Sequence, residues 1–149
     1  MTHYRGEKMV IKQLSVFLEN KSGRLTELTE ILGKADINMS ALSIADTSEF
    51  GIIRMVVSDP EKAFKILRDN SFSVNLTDVV CLSTPNQPGA IARALRILSE
   101  AGVSVEYMYA FSMEEKALAV IRTENIENTI KVLKKHEMEL LQASDLYNV

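Results

Sequence analysis

Between residues 10 and 18, VIKQLSVFL, the apolar side chains Ile11, Leu14, Val16 and Leu18 recur close to every second position, the period of a half-buried strand. From Ser22 the period lengthens. Leu25, Leu28, Ile31, Leu32 and Ala35 share one helical face, and Gly33 stands near the end, where it weakens the helix or helps to close it. A second strand, INMSALSIA, follows; TSEFG makes a turn and IIRMVVS a third strand. Asp59-Pro60 reads as an N-cap with proline at the first helical position. The helix it opens buries Ala63, Phe64 and Leu67, and SFSVN is a fourth strand. The remainder runs through the same order: strand VVCLS, helix PGAIARALRILSEAG, strands VSVEYMYAF and ALAVIR, a helix capped by Asn125 and carrying Ile126, Ile130 and Leu133, then MELLQA.

The order repeats because the sequence does. Gly23 and Gly89 are 66 positions apart, and the same spacing pairs Asn20 with Asn86, Leu25 with Ile91, Ile31 with Ile97, Leu32 with Leu98, Ala35 with Ala101, Ile37 with Val103, Ile52 with Leu118 and Leu67 with Leu133. No gap is needed, so the chain reads as one unit written twice. Each unit is strand-helix-strand-strand-helix-strand, a split βαβ arrangement with an antiparallel sheet and both helices on one face. The fold class is therefore α+β. The expected boundaries are a frayed tail over 1–9, a first domain over 10–75 and a second over 76–149. Almost no linker separates SFSVN from DVVCLS, which predicts rigid coupling of the copies. Phe17, Ile53 and Val57 are assigned to one face and Val16, Ile52 and Val56 to the other, so both faces carry apolar residues. Units of roughly 70 residues bury little surface alone. Both observations predict cover from the sister domain or a second chain, and a homo-oligomer, a dimer first.

Composition narrows the function. The 149 residues are 46% hydrophobic and 25% charged, ordinary for a globular protein. Net charge is −3; residues 1–76 carry 10 basic and 10 acidic side chains, residues 77–149 carry 7 and 10. Neither half offers the basic surface that a phosphate backbone needs, which argues against nucleic acid. Cys81 is the only cysteine, so there is no disulfide framework and a reducing, cytoplasmic setting is expected. No apolar stretch is long enough to span a membrane, and the polar MTHYRGEK does not read as a signal peptide.

The duplicated turn is the feature with chemistry in it. A helix start carries unpaired N–H groups and the positive end of the dipole, suited to a carboxylate or phosphate. Glycine lets a ligand approach the backbone, and Asn20 and Asn86 add amides with donors and an acceptor. Such a site suits a zwitterion. Asn and Gly are equally the ordinary residues of a strand-to-helix turn that binds nothing.

The element order, the Asn-x-x-Gly turn before the first helix and the Gly/Ala break before the second strand resemble the ACT domain, a ferredoxin-like βαββαβ module that senses amino acids. The second copy reads Asn86-Gln87-Pro88-Gly89-Ala90-Ile91, close to the family's Asp/Asn-Arg-Pro-Gly-x-Leu; the first reads Asn20-Lys21-Ser22-Gly23-Arg24-Leu25, with Ser22 where proline is usual. The resemblance runs from Val10 to about Leu146 and is greatest to small free-standing proteins of tandem ACT domains. It implies a non-catalytic sensor that acts in allosteric regulation of amino-acid metabolism. It also implies a ligand lying between one domain's turn and a neighbour's second strand, which brings in Asn38 and Ser104. Lys21 and Arg24 would suit an acidic ligand side chain; the neutral second turn, with Leu25, Met39, Ile91 and Met108 near in the pattern, would suit an apolar or aromatic one. The alternative is a ligand-independent regulatory or assembly subunit that binds a partner enzyme.

Other classes fit less well. RNA-recognition motifs share the element order, but base stacking needs exposed aromatics on the central strands, where this chain has Ile and Met in EFGIIRMVV and none in KALAVIRTE. His3 and His136 have no partner that spacing reveals, and nucleophile-base, metal-ligand and Walker-type patterns are absent. Glu114 and Glu115 read as a solvated turn, and Tyr107 and Tyr109 as packing. No enzyme activity, cofactor or metal is expected.

Overall fold

The computed structural model describes residues 8–19, 23–46 and 50–147. The chain divides into two compact units, one built from Lys12–Thr77 with Ser144–Val149, the other from Met1–Ile11 with Asp78–Ala143. Of the tail expected over 1–9, residues 1–7 lie outside the described residues, and Met9 packs against the core of the second unit.

The first unit runs β1 (Ile11–Glu19), α1 (Arg24–Lys34), β2 (Met39–Asp46), β3 (Phe50–Val57), α2 (Pro60–Asp69) and the front of β4 (Ser73–Pro85). β3 is antiparallel to β1 and to β2. Val16 lies opposite Ile53, and Phe17 opposite Ile52. This register corrects the expected faces: residues directly opposite share a face, so Phe17 goes with Ile52 and Val16 with Ile53. Leu14, Val16, Ile53, Met55 and Val57 meet Leu28 and Leu32 of α1 and Ala63 and Leu67 of α2 in one core. Burying one such leucine contributes about 1.5–3 kcal/mol. Leu25, expected on the same face, is 39% exposed; it stands in the first turn of α1, one turn short of Leu28, where the buried stripe begins. Phe64 is only partly buried, with the Arg68 guanidinium 5.2 Å from its ring centre. Gly33 does not form the left-handed cap of α1. Asp36 takes that conformation, at φ 59°, and its N–H donates to the Gly33 carbonyl at 3.1 Å.

The second unit continues β4 into α3 (Ala90–Glu100), β5 (Val105–Met113), β6 (Lys116–Thr123), α4 (Ile126–Lys135) and the short β7 (Glu139–Leu140). β6 is antiparallel to β4 and β5, and β7 is antiparallel to β4. Val80, Leu82, Ala119 and Ile121 meet Ala94 and Leu98 of α3 and Ile126, Ile130 and Leu133 of α4. SFSVN and DVVCLS, expected as two strands, are one, because no residue between them breaks the extended run. A last helix, α5 (Ala143–Tyr147), was not legible in the periodicity. It buries Leu146, and the Tyr147 hydroxyl accepts the Lys12 N–H at 2.7 Å within the first unit.

The 66-residue spacing holds in the backbone. It relates Arg24–Lys34 to Ala90–Glu100, Phe50–Val57 to Lys116–Thr123 and Pro60–Asp69 to Ile126–Lys135, end to end. It also relates the helix caps: Asp59 Oδ1 accepts the Lys62 N–H at 3.2 Å, and Asn125 Oδ1 the Asn128 N–H at 3.0 Å.

Candidate functional site

Each strand-to-helix turn closes on a left-handed glycine. Gly23 has φ 89° and ψ −10°, and Gly89 has φ 87° and ψ −11°. Only glycine adopts this conformation without penalty. Crowding is not the reason for it, because a Cβ built on either residue meets nothing within 4 Å. The space beside both α-carbons is open. Neither helix start is capped by a side chain.

The second turn is held by its own backbone. Gln87 N–H donates to the Pro85 carbonyl at 2.9 Å, Ala90 N–H to Gln87 at 3.2 Å and Arg93 N–H to Gly89 at 3.0 Å. The Asn86 N–H donates to the Glu115 carbonyl at 2.8 Å, which ties the turn to the β5–β6 hairpin. With Ala90 engaged, Ile91 and Ala92 are left as helix-start N–H groups without a helical acceptor. Asn86, Gln87, Pro88 and Gly89 are exposed; Ala90 and Ile91 are half-buried.

In the first turn, Asn20, Lys21 and Ser22 lie outside the described residues. The Arg24 guanidinium pairs with Glu27 at 2.9 Å and lies 4.3 Å from the centre of the Phe72 ring. Its charge is therefore met within the unit. Asn38 is exposed and its backbone is clamped to Ser58: Asn38 N–H donates to Ser58 Oγ at 3.0 Å, and Ser58 N–H to the Asn38 carbonyl at 2.9 Å. Ser104 is exposed just ahead of β5. The structure thus brings Asn86–Ile91 together as one turn and Gly23–Leu25 as another, while Asn38 and Ser104 stand at the openings of β2 and β5.

Sequence reasoning passed over two groups beside the second turn. Ser83 and Thr84 are 4% and 3% exposed, and their hydroxyls have no hydrogen-bond partner. Such a group costs about 1–3 kcal/mol unless something satisfies it. The copy has Phe17 and Leu18 at these places, so a comparison of the two repeats alone flags the change. A second buried hydroxyl pair is satisfied: Thr123 and Thr129 lie 2.6 Å apart, and Thr129 donates to the Asn125 carbonyl at 2.9 Å. Cys81 is buried, and desolvation pushes its thiol from 9.0 up to about 12. It stays protonated at neutral pH, which leaves it a core side chain rather than a nucleophile. Among the described residues, no cluster of three or more His, Cys, Asp or Glu side chains could hold a metal, and no helix is long and apolar enough to cross a membrane.

Comparison with known proteins matches residues 9–149 to a family described as an ACT domain pair. The protein BT0572 from Bacteroides thetaiotaomicron has a similar crystal structure, with TM-score 0.92 and 58% identity over 95% of this chain and 98% of that one. The ligand-free regulatory subunit of aspartate kinase from Thermus thermophilus shares the fold at TM-score 0.64 and 13% identity, over 83% of this chain and 91% of that one. The corresponding subunit from Thermus flavus does so at 0.60 and 15%, over 83% and 90%. None of the curated proteins matches.

Proposed function

This chain belongs to the ACT domain pair family, and from that premise we propose that it is a non-catalytic cytoplasmic sensor that binds an amino acid and regulates amino-acid metabolism. The observation that carries the reading is the duplicated turn, where a left-handed glycine opens a helix with no side-chain cap and free space beside its α-carbon. An amino-acid carboxylate would take the N–H groups of the helix start, at the positive end of its dipole. The exposed amide of Asn86 would add polar contacts to the ammonium. Ile91 and the absence of a charged side chain among residues 86–91 favour an apolar or aromatic ligand. One good charge-assisted contact contributes about 1.5–3 kcal/mol, and micromolar affinity, near −8 kcal/mol, is the natural scale. A thermal-shift screen of the twenty amino acids is expected to raise the melting temperature with one of them or a small related group. No shift with any would reject amino-acid sensing.

A second reading, a subunit that regulates or assembles a partner enzyme, draws on the apolar surface of the first unit. Among the described residues the exposed large apolar side chains are Phe17, Leu25, Leu42, Ile44, Phe50 and Met113, and five of these six precede β4. Leu42 and Ile44 lie on β2, at a sheet edge, where unpaired backbone invites another strand. Proteins similar in fold include regulatory subunits of aspartate kinase. The same surface supports a homodimer. Light scattering is expected to give twice the chain mass at micromolar concentration, and Leu42→Lys with Ile44→Lys to shift it towards the monomer. A monomeric wild type would leave the surface to a different partner.

A further inference from the structure

We infer that α5 is a clasp that stabilises the second unit without belonging to its core. By seating Leu146 and Tyr147 in the first unit, it closes the chain between into a loop, and the second unit gains less freedom when it unfolds.

Chain order and unit membership do not coincide. The chain leaves the first unit after Thr77, builds the second from Asp78–Ala143 and returns to the first at Ser144. Neither connection has slack. β4 runs unbroken from Ser73 to Pro85, and α5 opens at Ala143, soon after β7 ends at Leu140. The return is anchored. Leu146 is the residue that α5 buries, and it has no exposure. The Tyr147 hydroxyl accepts the N–H of Lys12, the first residue of that unit, at 2.7 Å.

The two copies part company at this place. The repeat spacing carries Leu76, which packs on the first core, to Gln142, which is exposed. It carries Thr77–Cys81, within β4, to Ala143–Tyr147, which is α5. Where the first copy runs on as a strand, the second turns into a helix and goes back to the first unit. The other flank does the converse. Met9 and Val10 pack on the core of the second unit, ahead of a β1 that builds the first. Lys12–Thr77 is therefore enclosed as Asp78–Ala143 is.

A chain held at both ends has fewer conformations than a free one. A link that closes a long loop thus stabilises whatever folds within it, as a disulfide does. A non-covalent clasp acts in the same way while it stays seated. Its contribution lies in the unfolded state, so no contact inside the second unit reveals it.

Hydrogen exchange on the full chain tests this, read at the Leu82 and Ile121 amides of the second unit and the Ile53 and Met55 amides of the first. Leu146→Asp unseats the clasp and alters no residue of the second core. It should lower protection at Leu82 and Ile121 about tenfold or more, and Leu146→Met should retain it. Leu32→Ala is the control, because it weakens the first core and leaves the clasp seated. It should lower protection at Ile53 and Met55 and leave Leu82 and Ile121 unchanged. Unchanged protection at Leu82 and Ile121 in Leu146→Asp overturns the inference. An equal loss there in Leu32→Ala also overturns it, by assigning the coupling to the units at large. Should Leu146→Asp fail to fold, Tyr147→Phe removes only the acceptor of the Lys12 N–H. A loss of about twofold or more at Leu82 and Ile121 then supports the clasp, and no loss overturns it.

Discussion

Gly89→Val is expected to abolish amino-acid binding. Two effects act together. At φ 87° a β-branched side chain is strained by about 1–3 kcal/mol, which at about 2–4 °C per kcal/mol lowers the melting temperature by several degrees. The isopropyl group also fills space that is empty now, since a Cβ at this place meets no atom within 4 Å. That space adjoins the helix-start N–H groups that would take the carboxylate. The fold should survive, because the strain is local and no core contact is lost. Gly89→Ala separates the two effects: it keeps much of the backbone strain while adding a single carbon, so binding should weaken but persist. Calorimetry and circular dichroism on both variants check the result. A folded Gly89→Val that binds with wild-type affinity places the ligand elsewhere.

The architecture was legible because a duplicated sequence supplies its own control. A single spacing located both helices of each unit, the third strands and the glycine turns, and the backbone repeats it down to φ 89° and 87° at Gly23 and Gly89. What periodicity could not provide was register. Val16 and Phe17 are both apolar, so alternation alone could not say which faces the helices; the register puts Val16 with Ile53, and the core they share with Leu28 and Leu32 decides it. Nor could it give partners. Arg24 read as a free cation beside a ligand, whereas its charge is met by Glu27 and Phe72, the latter 48 residues further on. Thr84 was invisible for the converse reason: a threonine ending an apolar strand is ordinary in sequence, and only its burial without a partner makes it a candidate.

Leu98→Ala should produce the largest loss of stability of any single truncation in α3, about 2–5 kcal/mol. Leu98 is 1% exposed and packs with Val80, Leu82 and Ile121 on the strands and Leu133 on α4. Together with Ala94 it is all that α3 buries completely. Removing three carbons therefore opens a cavity at the point where helix, sheet and second helix meet, and a close-packed layer of this kind relaxes into it only in part. Leu32 holds the same place in α1, with no exposure, against Leu14, Ile53 and Leu67. Leu32→Ala should cost a similar amount, and the two losses should add, because they fall in separate core clusters. Urea denaturation of both single variants and the double variant measures this. A cost below about 1 kcal/mol for either would mean that the core relaxes around the missing side chain, and that the helix above it is held by its other contacts rather than by its buried leucine.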